Sequence, residues 1–127
     1  MSKVQNIMTA DPTGSELVLF AEQTASTLVK NNLTRAQIRN IFTEVRKIEA
    51  LWDSNSANAL RRLTMLKPKL DYQTARTPAM GELKTVLSEA VDMVANAPED
   101  KRAERFSRFI NLFEAILAYH RARGGRS

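Results

Sequence analysis

From Ser15 to about Asn31 the positions Leu17, Phe20, Ala21, Thr24 and Leu28 recur at three and four residues, the spacing of one face of an α-helix. Asn31-Asn32 interrupts the pattern. Thr34, with Gln37 three residues later, then has the form of a capping box, in which the threonine hydroxyl accepts from a free backbone N–H and the glutamine reaches back. A second helix starts there. Ile38, Ile41, Phe42, Val45, Ile48 and Trp52 carry its apolar stripe until the polar run Asp53-Ser54-Asn55-Ser56 stops it.

The third segment carries Leu60, Leu63, Leu66 and Leu70 but contains Pro68, whose missing N–H and ring clash predict a helix kinked or split at that point. Thr77-Pro78 opens a fourth helix, with Met80, Leu83, Leu87, Ala90, Val91 and Val94 on its buried face, and Ala97-Pro98 repeats the start signal for a fifth. That helix runs to about Arg121, with Phe106, Phe109, Ile110, Phe113, Ile116, Leu117 and His120 on one broad face, and Gly124-Gly125 ends it. No segment shows a convincing strand pattern. The expected fold is therefore all-α, a compact bundle of about five helices. Residues 1–14 are polar and close on the turn-forming string Asp11-Pro12-Thr13-Gly14. They are expected to form a mobile segment outside the core, with the helical domain over 15–123 and a flexible basic tail over 124–127.

A chain of 127 residues holds one core of ordinary size and not two, and 43% hydrophobic with 26% charged residues is a globular composition. The absence of cysteine excludes disulfides, thiolate metal sites and cysteine nucleophiles, and fits a reducing compartment. The amino terminus has no apolar signal-peptide core, and no stretch approaches the roughly 20 apolar residues that span a bilayer. A cytoplasmic protein with no membrane partner is expected.

Catalytic chemistry finds little support. His120 is the single histidine, so a histidine triad could come only from it and histidine-rich metal sites are impossible. Its place on the apolar stripe in the last turn of the fifth helix suits a structural imidazole better than an RNA contact. None of the four glycines stands in a phosphate-loop or dinucleotide pattern. Glu82 and Glu89 are expected on a solvated outer face, and Glu49, within the stripe of the second helix, in an internal ion pair with an arginine. No catalytic residue, metal or cofactor is expected.

Charge changes the picture. Lys and Arg number 19 against 14 Asp and Glu, a net charge of +5 that favours anionic partners. Arg62, Lys69 and Arg76 are spaced at seven and seven, near two helical turns, and would form a row about 21 Å long at about 1.5 Å per residue. Met65 and Tyr72 fall beside it. Cations neutralise phosphates and a tyrosine can stack on a base, so the row suits a nucleic acid; a merely solvated face is the alternative. Arg35, Arg39 and Arg46 form a second row and Arg121, Arg123 and Arg126 extend the basic end, while acids collect between Glu82 and Glu104.

The residues Leu33-Thr34, Gln37-Ile38-Arg39, Phe42, Val45-Arg46 and Ile48-Glu49, the block Leu66-Lys67-Pro68-Lys69-Leu70 with Tyr72 and Arg76, and the carboxyl-terminal Arg105-Phe106, Phe109, Phe113-Glu114-Ala115-Ile116 and Ala118-Tyr119-His120 form a recognisable set. This pattern resembles the small subunit of the type III-A CRISPR effector, the Csm complex, across roughly residues 33–125. The resemblance implies a helical bundle without enzymatic activity. It also implies several copies stacked beside the backbone and large subunits, lining the channel where target RNA pairs with CRISPR RNA. Asp71 and Ala75 depart from the family pattern, and Asp71, beside Lys69 and Tyr72, could pair locally.

On this reading Arg39, Arg46, Lys69 and Arg76 are the leading phosphate contacts. Arg62, Lys67, Arg105, Arg108 and Arg121 are further candidates, and Tyr72 is the stacking residue. A helical protein–protein adaptor or dimerisation module without direct nucleic-acid binding is the alternative function. A DNA-reading second helix is disfavoured because four apolar turns make it look buried.

Overall fold

Six α-helices account for most of the residues described, 2–126, in a computed structural model of the protein. They are α1 (Lys3–Ala10), α2 (Ser15–Lys30), α3 (Arg35–Trp52), α4 (Ser56–Arg76), α5 (Gly81–Ala95) and α6 (Arg102–Ala122). Single 3₁₀ turns at Pro78–Met80 and Glu99–Lys101 lead into α5 and α6 at the two proline start signals. No strand occurs among the described residues, as the hydrophobic periodicity predicts. None of the helices is long and apolar enough to cross a membrane.

The sixth helix is the one that polarity conceals. Residues expected to stand outside the core instead fold as α1, started by a capping box in which Ser2 Oγ accepts from Gln5 N–H and the Gln5 side chain accepts from Ser2 N–H. Val4, Ile7 and Met8, one i, i+3, i+4 face, are all buried. Three large apolar residues in eight are too few to stand out along the chain, yet they complete the core against α5 and α6. Asp11, at the end of α1, is buried because its carboxylate accepts the free N–H groups of Glu16 and Leu17 at 3.2 and 2.9 Å, capping α2. Gly14 supplies the positive φ that this tight turn requires.

At α3 the expected capping box is present, with Thr34 Oγ1 accepting from Gln37 N–H and Thr34 N–H donating to Gln37 Oε1 at 2.9 Å. Ile38, Ile41, Val45 and Ile48 are buried, whereas Phe42 and Trp52 sit at the margin. Phe42 meets Phe113 of α6 edge-on at 5.0 Å, and Trp52 stacks on Phe106 at 4.3 Å.

Pro68 neither ends nor splits α4, which runs from Ser56 to Arg76 without interruption. The proline and Thr64, whose carbonyl loses its helical donor, are both exposed, so the unpaired carbonyl lies on the solvent side of the helix. Buried Leu63, Leu66 and Leu70 hold the opposite face against α3 and α5.

The carboxyl-terminal residues expected as a flexible tail make contacts with the bundle. Gly124 takes a positive φ, Gly125 is buried and donates to the His120 carbonyl at 2.8 Å, and the Arg126 carbonyl accepts from Arg35 N–H at 2.6 Å. Ser127 and Met1 lie outside the described residues.

Candidate nucleic-acid interface

The short Asp53–Asn55 turn folds α3 and α4 into a hairpin, and a groove of about 300 Å³ lies between them, floored by Ile41 and Leu66. Asn40, Thr43, Glu44 and Lys47 of α3 form one wall, and Lys69, Tyr72 and Gln73 of α4 the other. Of the row predicted on α4, Lys69 and Arg76 are exposed and Arg62 is half-buried. Met65 and Tyr72 are 55% and 61% exposed, unusual for large apolar side chains and consistent with a ring available to stack.

Two of the row's cations converge on one acid. Arg62 Nη2 donates to both Glu44 oxygens, at 2.9 and 3.2 Å, and Lys69 Nζ lies 3.7 Å from Oε1. The Glu44 side chain is only 16% exposed, while those of Arg62 and Lys69 remain 40% and 59% exposed. Arg76 folds back over Tyr72, its guanidinium 5.8 Å from the ring centroid. Asp71 turns to Lys84 of α5 and not to Lys69.

Across α3, the exposed strip formed by Arg39, Thr43 and Lys47 links this groove to a shallow depression beside α6, bounded by Arg35, Arg39 and Arg121. Arg39, Lys47 and Arg121 make no ion pair among the described residues. Lys47 escaped the sequence reading because it falls outside the row Arg35, Arg39 and Arg46. Its i+8 spacing from Arg39, a little over two turns, was the available signal.

Other candidates serve the fold. Arg46 donates to Glu49 and Glu114, each at 2.7 Å, and lies over the Phe42 ring at 4.7 Å. The Glu49 hydrogen bond, then the Glu114 one, push its pKa above the ordinary arginine value. Two carboxylates on one guanidinium leave this spot net negative and poorly suited to phosphate. The Glu49 pair is at the surface, not internal, because the carboxylate lies beside the stripe and 42% exposed. Lys67 bridges to Asp92 of α5 at 2.6 Å. Arg105 donates to the Met93 carbonyl at 3.1 Å, and Arg108 to the Ile7 carbonyl at 2.8 Å and the Asp11 carbonyl at 3.3 Å. These three close the α4–α5, α5–α6 and α1–α6 seams, away from the groove.

His120 is buried as a structural imidazole, its Nε2 2.7 Å from the Leu33 carbonyl. Glu82 is exposed, but Glu89 is half-buried under α1 and accepts from Ser2 Oγ at 2.6 Å.

Comparison with curated proteins and with solved structures gives no match. The family model for Csm2 Type III-A matches residues 11–126, nearly the whole bundle from the Asp11 cap to the end of the described tail. The chain therefore belongs to the Csm2 family, the small subunit of the type III-A CRISPR effector, the Csm complex.

Proposed function

We propose that this chain is a non-catalytic, RNA-contacting structural subunit of the type III-A ribonucleoprotein, stacked in several copies along CRISPR RNA and target RNA beside the backbone and large subunits. The observation that carries the reading is the set of exposed cations on neighbouring helices, Lys69 and Arg76 beside Tyr72 on α4, Lys47 and Arg39 on α3 and Arg121 on α6, four of which border the groove and the depression beside α6. Exposed cations flanking an exposed aromatic bind phosphates through charge and bases through stacking, without reading sequence.

Fluorescence anisotropy of the full chain with single-stranded RNA, duplex RNA and DNA at two salt concentrations tests it. Comparison is with the combined Arg62→Ala, Lys69→Ala and Arg76→Ala variant. Salt-sensitive RNA binding that is lost in a folded variant supports the reading; equal binding by both proteins returns the row to a solvated face. The adaptor reading is favoured by one observation, the exposed Val18 and Leu19 on α2, at 46% and 56%. Complex formation that is insensitive to salt and independent of RNA would select it.

A further inference from the structure

We propose that Glu44 is an internal competitor for phosphate, occupying in the free subunit the position that an RNA phosphate takes when the α4 row is engaged. The inference rests on the RNA-contacting reading above and assigns to that surface the residue that sets its affinity.

Glu44 is the one acid lining the groove, whose two lining cations are Lys47 and Lys69. Lys47, Arg62 and Lys69 bring three positive charges to the groove region and Glu44 removes one, leaving +2. A carboxylate and a phosphodiester each carry one negative charge on paired oxygens and accept the same donors from arginine and lysine. Arg62 and Lys69 are about 10 Å apart along α4, at seven residues and about 1.5 Å per residue, yet both reach toward the same recessed carboxylate. Each side chain thus holds, inside the protein, the kind of group it would hold on RNA.

The geometry also orders the exchange. At 3.7 Å the Lys69 contact is longer than a hydrogen bond, whereas Arg62 makes two contacts within bonding range. Lys69 is the more exposed cation, so an arriving phosphate captures it first and Arg62 afterwards. A single loose phosphate must displace Glu44 without help. A strand also held at Arg76 and Lys47 delivers its phosphates at high effective concentration and displaces the carboxylate readily. Glu44 therefore disfavours isolated anions and favours an extended backbone lying along the whole row.

The test compares wild type, Glu44→Gln, Glu44→Asp and Asp100→Asn, a control that removes an exposed acid in the 3₁₀ turn ahead of α6, by anisotropy with a mixed-sequence RNA oligonucleotide over a salt series. Circular dichroism melts monitor folding. Glu44→Gln is expected to tighten RNA binding about fivefold at moderate salt, the scale of one exposed charge interaction, and to steepen the salt slope by nearly one phosphate contact. Adding Lys69→Ala to Glu44→Gln should erase most of the gain. Glu44→Asp keeps the charge and should bind as wild type, so tighter binding by it overturns the proposal; if the glutamine variant melts early, Glu44→Ser carries the neutral arm with the same expected gain. Unchanged or weaker binding by folded Glu44→Gln, or an equal gain in Asp100→Asn, overturns the proposal. The two failures separate: wild-type binding that depends on Lys69 and Arg76 but not on Glu44 sinks only this inference, whereas no binding by wild type or any variant sinks the RNA reading with it.

Discussion

His120 Nε2 lies 2.7 Å from the carbonyl oxygen of Leu33, joining the last turn of α6 to the residue just ahead of the α3 cap. Both residues are fully buried, so the carbonyl has no water to replace the imidazole. His120→Ala leaves that acceptor unpaired beside a new cavity and is expected to lower stability by about 2–4 kcal/mol. Urea unfolding followed by circular dichroism would show it as a lower midpoint with an unchanged slope.

Gly125 rests against the same ring. A Cβ there would collide with the His120 ring, whereas one at Gly124 meets open space and only the strain of a positive φ. Gly125→Ala should therefore release the terminal turn, losing the bonds to His120 and Arg35 at a cost of about 1–2 kcal/mol, and Gly124→Ala should cost about 1 kcal/mol or less. Melting temperatures that rank the two variants the other way would contradict this packing.

Truncating Ile7 to alanine should destabilise the whole bundle by about 2–4 kcal/mol, because α1 belongs to the core. Arg108→Ala removes the donor to the Ile7 and Asp11 carbonyls and should act in the same direction, more weakly. Neither change touches the groove. Native-state hydrogen exchange would show α1 protected to nearly the level of α5 and α6 if the helix folds with the rest.

Lys47→Ala gives the opposite signature. Its side chain makes no ion pair among the described residues, so the melt should shift by less than about 0.5 kcal/mol. RNA affinity should nevertheless fall equally for all sequences, with the salt slope reduced by nearly one. A melt shift with unchanged RNA affinity would reassign Lys47 to the fold.

Pro68→Ala restores a donor to the Thr64 carbonyl within an unbroken helix and is expected to stabilise by about 1–3 kcal/mol. A lower urea midpoint for that variant than for wild type would contradict it.

What the linear pattern determined is whatever depends on local periodicity. The spacing of Ile38, Ile41, Val45 and Ile48, the Thr34–Gln37 box and the starts at Pro78 and Pro98 each report a helix by themselves, because helical geometry repeats every few residues and caps act over three. The basic row on α4 was legible for the same reason, since seven residues nearly complete two turns. Tertiary packing decided which cations are available. Arg105, Arg108 and Lys67 look like any basic residue until a carbonyl or carboxylate from another helix arrives, 12 to 101 residues away in the chain. It also decided the fate of α1, whose three large apolar side chains matter only because α5 and α6 offer a surface to cover. Glu44 belongs to this class as well: along α3 it is one acid among several charges, and only the hairpin with α4 sets it between Arg62 and Lys69. Burial and pairing are properties of distance in space, and the one-dimensional pattern carries that distance only where the chain turns back on itself within a few residues.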